Sequence, residues 1–198
     1  MFWRKRKRVI VSGFSGDNYR EMTDRTWPGM KRYADKIGAD FMGEPMNSAG
    51  RPCSWGKLPL IARALANHEE ALWLDADVSV DAATRSVFES FSREHPAAAC
   101  WLVDDHGNGH FNCGVLLVRR PFLETILIAA MQDDLINSNW WEQTAINRVA
   151  VGGLIQRLGD EWNVWRGTSS DVVPQFRHAC GLGSMAERIA WLEGGKNE

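Results

Sequence analysis

The stretch Ala71–Val78, which reads ALWLDADV, decides the fold of this chain. Its apolar residues lead into Asp75, Ala76 and Asp77 and predict a buried β-strand that ends in two acids. Side chains two residues apart on a strand point to the same face, so the two carboxylates lie together. Close like charges need a cation, and Mg²⁺ or Mn²⁺ with oxygen ligands supplies it. Because ligands bind at the carboxyl ends of strands in α/β sheets, we expect a metal-bound phosphate here.

The two acids also have an ordinary explanation. Acids at the junction of a strand and a turn often hydrogen-bond the backbone that follows. No other Asp-x-Asp occurs in the chain, and further candidate site residues lie upstream and downstream of it. That context favours the metal site over the turn.

Composition indicates one globular domain. The chain has 198 residues, of which 44% are hydrophobic and 24% charged, which suffices to bury a substantial core. No apolar run approaches the roughly 20 residues that span a bilayer, and no signal-peptide core is expected. Scattered cysteines without C-x-x-C spacing predict free thiols and a cytoplasmic protein. They are Cys53, Cys100, Cys113 and Cys180.

Charge is unevenly distributed along the chain. Residues 1–8, the predicted basic N-terminal arm, hold five of the 23 basic side chains, which leaves 18 against 25 acidic ones in 9–198, the predicted single domain. An acidic body argues against a broad nucleic-acid surface. The arm could contact an anionic membrane surface or a polyanionic acceptor, but we favour a solvated tail.

Apolar periodicity predicts strands that alternate with helices through the first half of the chain. Such alternation is typical of an α/β domain with a mixed, mainly parallel sheet flanked by helices. The predicted strands are Arg8–Ser12, Ala39–Met42, the stretch ending at Asp75, Ala97–Val103 and Phe111–Val118. The predicted helices are a segment after Asn18 that is interrupted at Pro28, then Leu58–Leu65, Pro121–Leu135 and Trp140–Val151.

Five features follow one another between about Val9 and Gly181. A basic residue before a helix, Lys57, is followed by four motifs: Leu74–Asp77 (LDAD), Phe111–Val115 (FNCGV), Glu142–Asn147 (EQTAIN) and His178–Gly181 (HACG). In this order they resemble the metal-dependent, retaining glycosyltransferases of GT-A (Rossmann-like) fold, the glycogenin and lipopolysaccharide galactosyltransferase group. The sequence is also similar to the fungal and plant galactosyl- and xylosyltransferases. Each motif alone is weak, but five in order are specific.

The resemblance implies a nucleotide-sugar donor. Lys57 matches a basic residue that contacts the donor, and Tyr19 could stack on a pyrimidine. Tyr19 could equally be an ordinary helix residue and Lys57 a solvated one. The residues that the resemblance places at the donor are Val11, Ser12, Gly13, Tyr19, Lys57, Asp75, Ala76 and Gly181.

The resemblance also implies a third metal ligand, His178. Two Asp and one His with open positions for phosphate oxygens suit Mn²⁺, or Mg²⁺. A lone His is more often structural, which is the alternative. The family often continues with Lys-Pro-Trp, whereas this chain reads Leu182-Gly183-Ser184. One diphosphate contact is therefore unassigned, and Arg177 or Arg188 could supply it.

Catalytic roles follow from the same resemblance. It places Asn112 at the transferred sugar and Glu142 and Gln143 nearest the reacting carbon. Gln143 and Asn147 stack at i, i+4 on a helix, so one face offers two amides. Glu142 could be a nucleophile or an electrostatic stabiliser. The alternatives are a strand-end role for Asn112 and a surface role for Glu142.

Two further pairs suggest an acceptor site. Trp140 and Trp141 are about 100° apart on a helix, so one ring is expected to face the cleft, where it could hold a sugar or other acceptor. Asp104 and Asp105 precede Gly107-Asn108-Gly109. They could bind or deprotonate an acceptor hydroxyl, or be turn residues.

The sequence thus predicts a retaining glycosyltransferase that uses a UDP-sugar and an acceptor of unassigned type: glycan, protein, lipid or polyanion. One alternative is a sugar-phosphate nucleotidyltransferase, but the loop 13–18 carries no Arg or Lys for a phosphate. Another is a non-catalytic nucleotide-sugar binding module. The choice between front-face attack and a Glu142 nucleophile, and the oligomeric state, stay open.

Overall fold

The computed structural model describes residues 7–92, 98–105, 110–149 and 155–194. Residues 1–6 of the predicted basic arm and the Gly107-Asn108-Gly109 connection therefore lie outside the described residues. Within these ranges the strands are β1 (Arg8–Phe14), β2 (Asp40–Pro45), β3 (Glu70–Asp75), β4 (Val78–Ser79), β5 (Cys100–Asp104), β6 (Phe111–Arg119), β7 (Ile155–Arg157) and β8 (Arg177–His178).

Six of these strands form one sheet in the order β2-β1-β3-β6-β5-β7, and β4 pairs with β8 separately. Strand β1 is parallel to β2 and β3, and β5 is parallel to β7. Strand β6 is antiparallel to both of its neighbours. It alone runs against the other five in this sheet, so the predicted mixed, mainly parallel sheet is confirmed.

Helices cover both faces of the sheet. They are α1 (Asp17–Ile37), α2 (Lys57–Asn67), α3 (Val87–Ser92), α4 (Leu123–Ala130), α5 (Trp141–Val149) and α6 (Met185–Leu192). Strand β3 is central, with Trp73 packed on the α2 side and Leu72 and Leu74 on the α1 side. Burial on both faces explains why β3 reads as a continuous apolar run.

The predicted interruption at Pro28 is wrong, because α1 runs through this residue as one helix. A proline lacks the N–H donor and crowds the preceding turn. Met22, Met30 and Tyr33 are buried on either side of it. Packing against the sheet therefore holds the helix in one piece.

The helix predicted over Pro121–Leu135 is also corrected. A 3₁₀ turn precedes α4, which ends at Ala130, and a second 3₁₀ turn spans Asp133–Leu135. Two acids at the carboxyl end of a continuous helix would oppose its dipole. In α5 the first residue is Trp141 rather than Trp140, and the predicted end of this helix lies outside the described residues.

The four cysteines are free thiols, as predicted. Across the described ranges, no helix combines the length and the apolar character that a membrane crossing requires.

Candidate active site

A cavity of about 370 Å³ opens at the edge where β1 and β3 end. The parallel register sets Gly13 beside Asp75, so both carboxyl ends meet at this edge. Most of the predicted site residues line the cavity: Gly13, Tyr19, Lys57, Asp75, Ala76, Asp77, Asn112, Glu142, Gln143, His178 and Gly181. Val11 and Ser12 are not among its lining residues. Val11 is fully buried in the core, and the Ser12 hydroxyl accepts a hydrogen bond from the Trp27 indole.

Asp75 is held by one of its two carboxylate oxygens. Its Oδ1 accepts a hydrogen bond of 2.6 Å from the indole of Trp73, which lies two residues earlier on the same face of β3. The Lys57 ammonium lies 3.0 Å from the same oxygen. The other oxygen, Oδ2, is the one that lies toward His178.

Asp77 is held in the same way. Arg188 from α6 lies 2.6 Å from its Oδ2, and Oδ1 lies 3.3 Å from Nε2 of His178. Burial alone would raise the pKa of Asp77, but the charges of His178 and Arg188 lower it below its usual value. Asp77 therefore stays ionised although it is buried.

The C-terminal segment brings His178 to the two acids. Strand β8 pairs antiparallel with β4, with His178 opposite Val78, and the N–H of Ala179 donates to the carbonyl of Asp77. Nε2 of His178 lies 3.8 Å from Oδ2 of Asp75. One ligand atom from each of Asp75, Asp77 and His178 lies within 4.8 Å of the others. Two carboxylates and an imidazole are a donor set that fits a divalent cation.

Lys57 and Glu142 form a buried ion pair. Nζ of Lys57 lies 2.9 Å from Oε1 of Glu142, and it also donates to the carbonyl of Cys113. Burial would lower the pKa of Lys57, but Asp75 and Glu142 raise it, so the ammonium stays charged. Lys57 is 3% exposed and Glu142 is 4% exposed. The alternatives of a solvated Lys57 and a surface Glu142 are therefore wrong. Oε2 of Glu142 is buried and finds no hydrogen-bond partner within the described part of the chain.

The predicted amide face of α5 lies against the edge of β6. Asn147 accepts from the N–H of Phe111 and donates back to its carbonyl. Gln143 accepts from the N–H of Cys113. Asn147 thus satisfies backbone groups of β6 at Phe111 and is not among the residues that line the cavity. Gln143 is among them.

The structure separates the two arginine candidates. Arg188 lines the cavity and donates to the Tyr19 hydroxyl as well as to Asp77. Arg177 instead stacks on the Trp191 ring, 5.5 Å from its centroid. Of the two arginines, Arg188 is therefore the one whose side chain a ligand in the cavity could contact.

The two pairs that the sequence suggests for an acceptor lie differently in the structure. Trp140 and Trp141 both line the cavity and are 58% and 45% exposed. Trp141 has a φ of 44°, a left-handed backbone conformation that residues other than glycine rarely adopt. Asp105 lines the cavity and is buried, whereas Asp104 is not among the lining residues and pairs with Arg157 at 3.8 Å.

Sequence reasoning missed Asn163, which is fully buried and bonded to both Asn112 and His178. It also missed Cys180, which lines the cavity next to His178 in the HACG motif. Asn163 belongs to no recognisable motif. Only its position opposite the β8 segment in space reveals it.

At the level of sequence, no protein-family model matches this chain, and no curated protein matches it significantly. Solved structures do match its fold. A glycosyltransferase involved in the glycosylation of the major capsid of PBCV-1 aligns with a TM-score of 0.77 at 19% identity, over 94% of this chain and 98% of that one. The galactosyltransferase LgtC, in complex with donor and acceptor sugar analogs, aligns with a TM-score of 0.65 at 15% identity over 87% of each chain.

A third similar structure is mouse xyloside xylosyltransferase 1, with a TM-score of 0.56 at 10% identity over 89% of this chain and 98% of that one. At these identities the likeness concerns the fold. The chain has the GT-A fold of glycosyltransferases, as the sequence resemblance predicted.

Proposed function

We propose that this protein is a metal-dependent glycosyltransferase that moves a sugar from a UDP-sugar to an acceptor hydroxyl with retention. The observation that carries the proposal is the convergence of Asp75, Asp77 and His178 on the cavity at the carboxyl edge of the sheet. Each carboxylate is tied to a cation through one oxygen and turns the other toward His178. Such an arrangement suits a divalent ion and the diphosphate that it binds.

The charges in the cavity support a cation there. Four carboxylates line the cavity, Asp75, Asp77, Asp105 and Glu142, and face two fixed cations, Lys57 and Arg188. With His178 protonated one negative charge is left over, and two are left when His178 gives up its proton to bind a metal ion. A bound Mn²⁺ or Mg²⁺ would supply Lewis-acid stabilisation of the departing diphosphate. Arg188 would add a charge-assisted hydrogen bond to a phosphate oxygen.

Transfer requires the acceptor oxygen to bond the anomeric carbon while the bond from that carbon to the diphosphate oxygen breaks. The acceptor proton leaves with the phosphate in a front-face reaction. The Lys57 ammonium, which Glu142 shares with Asp75, holds Oε1 of Glu142 at 2.9 Å, which weakens Glu142 as a nucleophile but leaves it part of its negative charge. We therefore assign Glu142 an electrostatic role at the developing positive charge, with Gln143 beside it.

The acceptor would enter past Trp140 and Trp141, whose exposed rings could lie against a sugar face. Asp105, which is buried and lines the cavity, would accept a hydrogen bond from a sugar hydroxyl. The glycosyl-transfer assignment itself does not depend on which acceptor is used.

A panel of nucleotide sugars with Mn²⁺ tests the proposal. We expect release of UDP from at least one α-linked donor, and an α-linked product by the coupling of its anomeric proton. Release of pyrophosphate from a nucleoside triphosphate and a sugar phosphate would instead indicate a nucleotidyltransferase. Donor binding without any release would indicate a binding module. An inverted product would contradict the retaining assignment.

A further inference from the structure

The imidazole of His178 lies against strand β6 at Gly114, with its Cε1 closest. A Cβ built at Gly114 would lie 2.1 Å from Cε1 and 2.7 Å from Nδ1 of this ring. Atoms cannot approach so closely, so any side chain at position 114 displaces His178. The glycine of the FNCGV motif therefore provides the space in which the imidazole lies.

A chain of three hydrogen bonds determines which ring nitrogen of His178 carries a proton. The backbone N–H of Gly114 can only donate, and it bonds Oδ1 of Asn112 at 2.9 Å. The same Oδ1 is 2.8 Å from Asn163, so Asn163 must present its Nδ2 donor there. Asn163 then turns its Oδ1 to Nδ1 of His178 at 2.9 Å. An amide oxygen only accepts, so Nδ1 of His178 carries a proton.

We propose that Asn112, Gly114 and Asn163 form an imidazole cradle that holds His178 with Nδ1 protonated and Nε2 directed at Asp75 and Asp77. Nε2 is the nitrogen that lies 3.3 Å from Asp77 and 3.8 Å from Asp75. The inference deepens the proposed function, because it rests on His178 as a metal ligand. It assigns Asn163 and Asn112 as positioning residues for that ligand.

The backbone explains how Asn163 reaches the ring. Val164 bridges to Arg177, and the N–H of His178 donates to the carbonyl of Val164 at 2.8 Å. Asn163 is fully buried and His178 is 3% exposed, so water does not replace their bond. The cradle is therefore formed before any cation arrives, which lowers the cost of ordering the ligand.

Metal affinity is the first measurement, made on the full chain with Mn²⁺ alone by following the free-ion electron paramagnetic resonance signal. Loss of a partner that orients a histidine ligand typically costs about 10- to 100-fold in affinity. We expect that range for Asn163→Leu and at least as much for Gly114→Ala. The matched control is Gly183→Ala. Among the described residues a Cβ there meets only Glu187, at 3.4 Å, so this variant should bind Mn²⁺ like the unaltered chain.

A conservative variant separates positioning from packing. Asn163→Asp keeps an oxygen for the Nδ1–H of His178 but loses the donor to Asn112, so it should retain more Mn²⁺ affinity than Asn163→Leu. Thermal unfolding of each variant checks that the fold persists. Equal affinity in the unaltered chain and folded Asn163→Leu would overturn the cradle, and so would equal losses in the Asp and Leu variants.

Nitrogen-15 NMR of the metal-free protein gives a readout that needs neither metal nor turnover. Nδ1 of His178 should show a protonated-type shift and a proton that exchanges slowly with water, and Asn163→Leu should lose this slow exchange. An unprotonated Nδ1 contradicts the cradle, whatever the Mn²⁺ result. A protonated, protected Nδ1 in a chain that binds no Mn²⁺ would support the cradle and refute the metal-dependent function.

Discussion

The two ends of strand β3 carry acids in contrasting surroundings. At its start, Glu70 is 1% exposed and both of its carboxylate oxygens are paired. Arg8 lies 3.0 Å from one oxygen and Arg119 lies 3.0 Å from the other. This end is a closed ion cluster whose partners all come from the protein. Its role is to let a buried charge exist within the fold.

At the other end of β3, Asp75 and Asp77 are also paired with fixed cations, Lys57 and Arg188, each through one oxygen. Their other oxygens turn toward His178, a titratable group that can give up its proton to a metal ion, at the edge of an open cavity. Complete pairing with arginines marks structure, whereas pairing completed by a histidine beside a cavity marks a site. The contrast predicts that changes at one end alter folding and changes at the other alter ligand binding.

The largest expected effect is at the cavity end. Asp77→Asn keeps the shape of the side chain but removes its charge, so Mn²⁺-dependent release of UDP should fall by about 10³-fold or more. The folded population should persist, as circular dichroism can check. Asp81→Asn is the matched control, because Asp81 is an exposed acid paired with Arg32, and its activity should stay within about twofold. Full turnover by Asp77→Asn would refute the proposed metal site.

A change at Glu70, in the closed ion cluster, should instead lower the free energy of unfolding. Glu70→Gln removes the negative charge that lies 3.0 Å from the buried Arg119, and breaking a buried pair costs about 3 kcal/mol or more. Urea unfolding measures this loss. Glu44→Gln breaks an exposed pair with Arg63 and should cost under about 1 kcal/mol. Protein with Glu70→Gln that stays folded should bind Mn²⁺ normally, and weakened binding there would erase the distinction between the ends.

Lower pH should raise the stability of the metal-free fold and weaken the binding of Mn²⁺. Burial lowers the pKa of His178, but Cys180 and Asp77 raise it well above its ordinary value. Protonated His178 therefore stabilises the metal-free fold below pH 6.5, and that stabilisation is lost as pH rises through the folded pKa. Mn²⁺ must displace the same proton, so its affinity should rise about tenfold per pH unit until the ring is neutral. Parallel unfolding and Mn²⁺ titrations across pH check both slopes, and a pH-independent Mn²⁺ affinity would exclude His178 as a ligand.

The smallest effect concerns the bound diphosphate. The Arg188 side chain is 18% exposed, so Arg188→Gln should cost about 1 kcal/mol, or about fivefold, in the Kd for UDP with Mn²⁺. Mn²⁺ alone should bind at least as tightly, because a competing cation beside Asp77 is gone. Arg177→Gln is the control, as Arg177 stacks on Trp191. Equal losses in the two variants would mean that neither contacts the diphosphate.

Local pattern predicted the parts of this molecule that depend on local physics. The apolar run before Asp75 predicted a strand buried on both faces. Strand periodicity does not explain why Asp77 lies beside Asp75, because β3 ends at Asp75 and Asp77 lies in the turn that follows. The alternation of strands and helices predicted the sheet. Pro28 shows the limit of such rules, because long-range packing of α1 outweighs the local penalty of a proline.

Contacts between distant segments could not be read from the pattern. Lys57 and Glu142 are 85 residues apart, and their buried pairing follows only from the packing of distant segments. The family resemblance, and not the spacing of residues, predicted His178 as a site residue. Asn163 carried no signal at all, since its role arises from the bridge between Val164 and Arg177.

The central claim is that the cavity end of β3 is a divalent-cation and diphosphate site. Calorimetric titration of the full chain with UDP, in Mn²⁺ and again in excess EDTA, tests it most directly. We predict that UDP binds with Mn²⁺ present and that EDTA weakens its Kd by at least about tenfold, because the ion links Asp75 and Asp77 to the phosphates. The same Kd for UDP in both solutions would contradict the account.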